Sequence, residues 1–415
     1  MESKLKHYTL DNGLNVYFYK DDKKHSTFVN LVVKYGGLHS DFKIKEDYYH
    51  IEDGMQHFLE HILLEKSQYG NLMTLFGQKQ MRCNGDTSTD RTRYYFDTVE
   101  HLDFGIEKLI KGINEPVFTG KDVEEAKGPI YQEIRMSRDN KYRMAREITM
   151  KNSFNTIPFA TVLGSLKNIE DITYEKAKIC YDNFYQPKNE FITVVGNFDQ
   201  NHVLELIKKC FSDIKRKYND FELVKFNEKN EVLKDFEKYK MPIGKNLAYI
   251  TYKIPISNLD GYDRLQLEMI LNYFLVLNFG TTSPLYKTMI DEKIICDRID
   301  FYTSVYLDFG FVTVLSLTDN FDSFVSKVKE VFNGGFNNDK EMFNLLKRDK
   351  KIRLIGRFDD IIKLTNPFIE NIVTFNYDKL DKIEDIDNIT FKKYLDIIKS
   401  TKFNNYTIVK IEDKR

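Results

Sequence analysis

The sequence predicts an α+β fold made twice over, and three observations carry that reading. The chain has 415 residues, more than one ordinary core accommodates and enough for two domains of about 200 residues each. Short aromatic or β-branched runs of strand character alternate with longer runs of helical periodicity. The second half also repeats the order of the first. Ile169-Glu170-Asp171-Ile172, a helix and a strand recur as Ile383-Glu384-Asp385-Ile386, a helix over 391–398 and a strand over 405–409, at an offset of 214 residues (383 less 169). Leu72 and Cys83 recur at the same mutual spacing as Leu285 and Cys296. The expected division is a first domain over 1–220, a charged linker with one strand over 221–245, and a homologous second domain over 246–415.

Each element has its own signal. Residues 8–19 read as two strands joined at Asn12-Gly13, a dipeptide suited to a hairpin turn. A third strand, 28–35, stops at Gly36-Gly37. Residues 51–64 form an apolar helix, 72–79 a short one, 81–88 and 92–98 a strand pair, and 102–114 a further helix. The run 121–136 is helical except at Gly128-Pro129, where a missing donor and a ring clash predict a kink or a new helix starting at Pro129. Then come a helix over 174–184, a buried strand over 190–196 and a helix near 201–211. The second half opens with a strand over 247–253 and a long apolar helix over 261–279.

Composition narrows the function. Lys+Arg 62 against Asp+Glu 63 gives a net charge of −1, which recommends neither nucleic acid nor an anionic membrane as partner. The start lacks the apolar core of a signal peptide, and no window approaches 18 uninterrupted apolar residues, so a soluble cytoplasmic protein is expected. The cysteines, Cys83, Cys180, Cys210 and Cys296, are scattered without C-x-x-C spacing and are expected as reduced, buried thiols.

The chemistry gathers in His57-Phe58-Leu59-Glu60-His61. On a helix, residues i and i+4 lie about 40° apart, so both imidazoles leave one face as two ligands for one metal ion. The Glu60 carboxylate reaches a water on that metal without ligating it. Solvated helices also carry such pairs, but with eight His a chance H-x-x-E-H is expected in roughly one such sequence in a hundred. The second half has no such motif.

With Leu10-Asp11-Asn12-Gly13-Leu14, the H-x-x-E-H stretch, Cys83-Asn84-Gly85-Asp86-Thr87-Ser88 ahead of Tyr94-Tyr95, Tyr185-Gln186-Pro187 and Val194-Val195-Gly196, the chain resembles the pitrilysin/insulinase family of zinc metallopeptidases. Within that family, the inverzincins, it is similar to the bacterial processing-peptidase-like members. The resemblance implies two homologous domains, each a mostly antiparallel sheet packed against helices, with Zn2+ as cofactor. It also implies a third ligand, a glutamate on a later helix that matches Glu133, 72 residues after His61 (133 less 61). His57, His61 and Glu133 would leave one position for water, whose pKa zinc lowers from about 15.7 toward 7, and Glu60 would be the general base. An unfolded peptide or leader sequence would add as a strand along Asn84, Gly85, Asp86 and Thr87.

Three departures bear on this expectation. Where the family has a second glutamate this chain has Ala126, and Glu125 or Glu124 could substitute behind the ligands only through a shift of helix register. Where the family's second domain has an arginine and a tyrosine to hold the substrate carbonyl, the matching residues are Ile290 and Asp297, with Arg298 and Tyr302 as neighbouring stand-ins. The glycine-rich loop of the family's non-catalytic subunit has no counterpart, and Asn333-Gly334-Gly335-Phe336 reads as a turn. These gaps imply a heterodimer with a related subunit that lacks the motif. A homodimer would still lack the arginine-tyrosine pair. Two functions follow: a zinc endopeptidase subunit, favoured by the retained Glu60, or a non-catalytic, peptide-binding subunit, favoured by Ala126, Ile290 and Asp297.

Overall fold

The computed structural model describes residues 4–158, 162–256 and 259–414. The chain begins with the hairpin β1 (Leu5–Thr9) and β2 (Asn15–Lys20), turned by Asn12-Gly13. Gly13 has φ 87°, a left-handed conformation a glycine adopts without steric penalty, and Asn12 Oδ1 accepts from the Leu14 amide at 3.1 Å. There follow β3 (Thr27–Val33), β4 (Asp41–Ile44), β5 (Asp47–His50), β6 (Arg82–Thr87), β7 (Thr92–Thr98) and β8 (Glu190–Gly196). Six of them build a sheet in the order β1-β2-β8-β3-β7-β6, antiparallel except for the pair β2–β8, while β4 and β5 pair with each other in a separate small sheet. In the centre, β3 and β8 are buried along their whole length, as strands covered on both faces must be.

The later strands are β9 (Glu222–Leu223), β10 (Phe236–Met241), β11 (Leu247–Pro255), β12 (Ile299–Val305), β13 (Phe309–Leu317) and β14 (Tyr406–Asp413). The second sheet runs β10-β14-β11-β13-β12, with its parallel pair at β10–β14. Strand for strand this is the order β2-β8-β3-β7-β6 of the first sheet, which has β1 in addition. The repeat heard in the sequence is therefore a repeat of topology. Each sheet has its own apolar core, one around Phe18, Phe58, Tyr94 and Tyr185, the other around Tyr252, Phe274, Phe332 and Tyr394.

The chain divides into two compact units. The first comprises Met1–Met136, Thr161–Lys225 and Ile361–Thr365, the second Ser137–Ala160, Phe226–Asp360 and Asn366–Arg415. This differs from the expected division in three ways, the first being that Ile361–Thr365, in the second half of the sequence, falls in the first unit. The helix Lys141–Ser153, unread in the sequence, belongs to the second unit, because Ala145 packs with Tyr249, Leu315 and Val409 on the second sheet. The interval 221–245 holds two strands where one was expected: β9 pairs with β4, and β10 pairs with β14. Its charged, exposed residues suit edge strands, which bury little.

Four helices position the site: α1 (Met55–Glu65), α2 (Leu72–Gly77), α3 (Leu102–Asn114) and α4 (Gly120–Arg138). No new helix starts at Pro129: α4 runs through it as one helix. Pro129 and Glu125, whose carbonyl loses its partner, both lie on the exposed side, where water takes the freed acceptor. Of the cysteines, Cys180 and Cys210 are buried, Cys83 is half-buried, and Cys296 is exposed, contrary to expectation.

Candidate metal centre

Helix α1 is buried on most of its circumference. Met55, Phe58, Leu59, Ile62 and Leu63 are fully sequestered in the first core, which fixes the rotation of the helix about its axis. That rotation sends His57 and His61 out of the remaining face. The helix starts at Gly54, with φ 95°, and a Cβ there would stand 2.6 Å from the Leu163 carbonyl oxygen. Both conformation and space demand glycine at this position.

The two imidazoles converge with a carboxylate from α4. His57 Nε2 and His61 Nε2 are 3.2 Å apart, and Glu133 Oε2 lies 3.5 Å from the first and 3.8 Å from the second. Helix α4 buries Val123, Ala126, Ile130 and Ile134, and Glu133 sits at the margin of that apolar face with its side chain 43% exposed. Tetrahedral zinc with bonds of 2.0–2.1 Å separates its ligand atoms by about 3.4 Å. The three separations bracket that value, and two nitrogen lone pairs with one carboxylate oxygen form a donor set suited to zinc. Among the described residues this is the one grouping of three His, Cys, Asp or Glu side chains with such convergence.

Glu60 stands beside the grouping and outside it. Only 7% exposed, it accepts a hydrogen bond at 2.8 Å from Thr87 Oγ1 on β6. Burial pushes its carboxyl up to about 7; the Thr87 bond opposes this, and the charges of Asp86 and Glu133 add to it. His61 Nδ1 lies 3.7 Å from Glu65 Oε1, one turn on, a carboxylate behind the ring that spacing alone does not single out.

The structure distributes the remaining sequence-predicted residues as follows. Thr87 and Gly85 face α1, whereas Asn84 and Asp86 alternate to the other face of β6. Asp86 pairs with Arg93 directly across the sheet, at 2.5 Å, and Asn84 Oδ1 accepts from the Gly85 amide at 2.9 Å. Strand β6 ends the sheet, with β7 its one strand neighbour among the described residues. Glu125 is not behind the ligands: its carboxylate takes a bond from Lys66 at 2.8 Å, and no change of register in α4 turns it inward. Ala126 is packed into the core. In the second unit Ile290 is 37% exposed, Arg298 Nε pairs with Asp300 at 3.1 Å, and the Tyr302 hydroxyl bonds that of Tyr249. Both stand-ins thus have partners within their own sheet.

A duplicated α+β fold with an inverted His-x-x-Glu-His helix in its first half defines the class of an inverzincin-type protein. Comparison with known families agrees: the insulinase family (peptidase family M16) matches residues 16–163, and the peptidase M16 inactive domain matches residues 171–347. The chain belongs to the pitrilysin/insulinase family, M16. It is 29% identical over 322 residues to the uncharacterized zinc protease YmfH of Bacillus subtilis, covering 76% of this chain and 74% of that one. An uncharacterized zinc protease of Rickettsia felis is 24% identical over 316 residues, 74% of this chain and 72% of that one. In fold, the chain is similar to an M16-like peptidase from Alicyclobacillus acidocaldarius, with a TM-score of 0.90 at 20% identity over 98% of both chains. A protease from Helicobacter pylori superposes with a TM-score of 0.85 at 18% identity over 99% of both. Among the described residues no helix is long and apolar enough to cross a membrane.

Proposed function

We propose that this chain is the zinc-bearing subunit of an endopeptidase that cleaves unfolded peptides or leader sequences. The observation that carries the reading is the convergence of His57, His61 and Glu133 with a buried carboxylate, Glu60, at their side. Bound there, zinc would supply a Lewis acid that polarises a peptide carbonyl and lowers the pKa of water toward 7. His57, His61 and Glu133 would hold the ion. Glu60 removes the proton from the attacking water and returns it to the leaving amine. Its burial raises its basicity toward the range in which a general base works at neutral pH. The exposed edge of β6 offers unpaired backbone groups to an extended peptide, and such pairing asks little of side-chain sequence. A folded protein does not present such a strand.

The partner in this reading is a related chain without the motif. Ile290 and Asp297 supply neither the cation nor the phenol expected of the second domain, and Arg298 and Tyr302 are engaged elsewhere. The same gaps, with Ala126, support the second reading, a peptide-binding subunit without turnover.

The test is hydrolysis of a quenched fluorescent peptide library by the zinc-loaded chain, alone and mixed with a motif-less relative. Glu60→Gln is expected to bind zinc as the wild type does and to lose at least about 100-fold in rate. Zinc binding with no cleavage in any mixture would shift the assignment to the peptide-binding subunit.

A further inference from the structure

The Glu60 carboxylate is held from outside its own helix. Gly85 and Thr87, two apart on β6, share the face turned toward α1. Thr87 Oγ1 donates to Glu60 Oε2 at 2.8 Å. At Gly85 a Cβ would stand 2.9 Å from Glu60 Oε1 and 3.0 Å from its Cγ. The two carboxylate oxygens thus meet different parts of one strand: Oε2 is bonded to a hydroxyl, and Oε1 lies against a backbone that has no side chain there.

Thr87 is itself backed by a second hydroxyl. Its cross-strand partner Thr92 lies 3.4 Å away, oxygen to oxygen, and Thr92 Oγ1 donates to the Tyr35 carbonyl at 2.8 Å. The Thr92 proton goes to that carbonyl and leaves the Thr92 oxygen an acceptor, but the Glu60 carboxylate is the closer acceptor, at 2.8 Å against 3.4 Å, and takes the Thr87 proton. A hydroxyl bond to a charged carboxylate is about twice as strong as one between neutral groups, enough to choose among carboxylate rotamers.

We propose that Thr87 is the positioning residue of Glu60: it pins Oε2, in the space that Gly85 leaves open, and so sets the direction in which Oε1 faces. This rests on the peptidase reading. Strand β6 is also the edge to which a peptide would add, so a single strand both receives substrate on its outer side and orients the base on its inner side.

The test compares the zinc-loaded wild type with Thr87→Val, which keeps the shape and loses the hydroxyl, and Thr87→Ser, which keeps the hydroxyl. All three are expected to carry the same zinc content. Thr87→Val should lose about 10- to 100-fold in kcat with KM within about threefold, and Thr87→Ser should stay within about threefold of wild type in both. Crystal structures of the zinc-loaded proteins should show the Glu60 carboxylate turned from its wild-type direction in Thr87→Val and unmoved in Thr87→Ser. Wild-type kcat in Thr87→Val, loss of its zinc, or a serine variant as slow as the valine variant would overturn the proposal. A wild type that cleaves nothing would refute the peptidase reading, and the crystal structures would still decide: an unmoved Glu60 in Thr87→Val overturns the positioning role, and a turned one sustains it.

Discussion

Glu190 sets a residue-scale expectation that does not depend on the metal. It opens β8, is 1% exposed, and has Arg216 and Asn114 nearby. Burial pushes its carboxyl up to about 7, against the pull of the Arg216 charge and the Asn114 amide. The folded state therefore holds the proton more tightly than the unfolded chain, whose carboxyl titrates near its ordinary value. Its contribution to stability is fully present below that ordinary value and is lost as pH rises through about 7. The loss amounts to about 3 kcal/mol between the two limits. Urea unfolding of wild type and Glu190→Gln between acid and mildly alkaline pH checks this: the wild-type midpoint should fall with rising pH, and the variant's should fall distinctly less. Equal slopes would place the pH dependence on other groups.

Helix α4 shows where local pattern and tertiary structure part. The Gly128-Pro129 pair reads as a break because proline lacks a donor, yet the apolar spacing Val123, Ala126, Ile130 and Ile134 runs unbroken across it, and core packing on that face holds the helix together. The proline is an accommodated defect, and Pro129→Ala should restore a donor to the Glu125 carbonyl. Replacement is expected to stabilise the first unit by about 1–3 kcal/mol, read as a higher unfolding midpoint; no gain would mean that the helix had already relaxed around the ring. The same contrast sorts what was legible in the sequence. Residues 102–114, 174–184 and 261–279 were read to the residue: apolar periodicity marks the first, and the other two start at capping residues, Thr173 and Asp260. The strands β4, β5 and β10 were not: β4 and β5 have four residues each, and β5 and β10 are largely exposed strands at sheet edges. At the site, His57, Glu60 and His61 were legible because helical spacing alone brings them together. Glu133 came only from resemblance, and the Thr87–Glu60 bond not at all, because tertiary folding sets both approaches.

At the scale of the whole molecule, the same topology is built twice and only one copy carries the metal donors. His57, His61 and Glu133 all belong to the first unit, and each unit has its own apolar core. A metal that binds the folded first unit stabilises that unit by mass action, by about 4 kcal/mol when free metal stands at 1,000 times Kd. The second unit gains nothing directly. Calorimetry of the zinc-loaded chain with and without chelator separates the possibilities. The expected result is two transitions, of which chelation lowers one by several degrees and leaves the other in place. A His57→Ala, His61→Ala double variant should behave as the chelated wild type does, and chelator should have no further effect on it. If chelation lowers both transitions together, the two units unfold as one cooperative body and the metal supports the entire chain. If it lowers neither, the three converging donors do not hold a metal under these conditions, and the assignment of the centre fails at its first step.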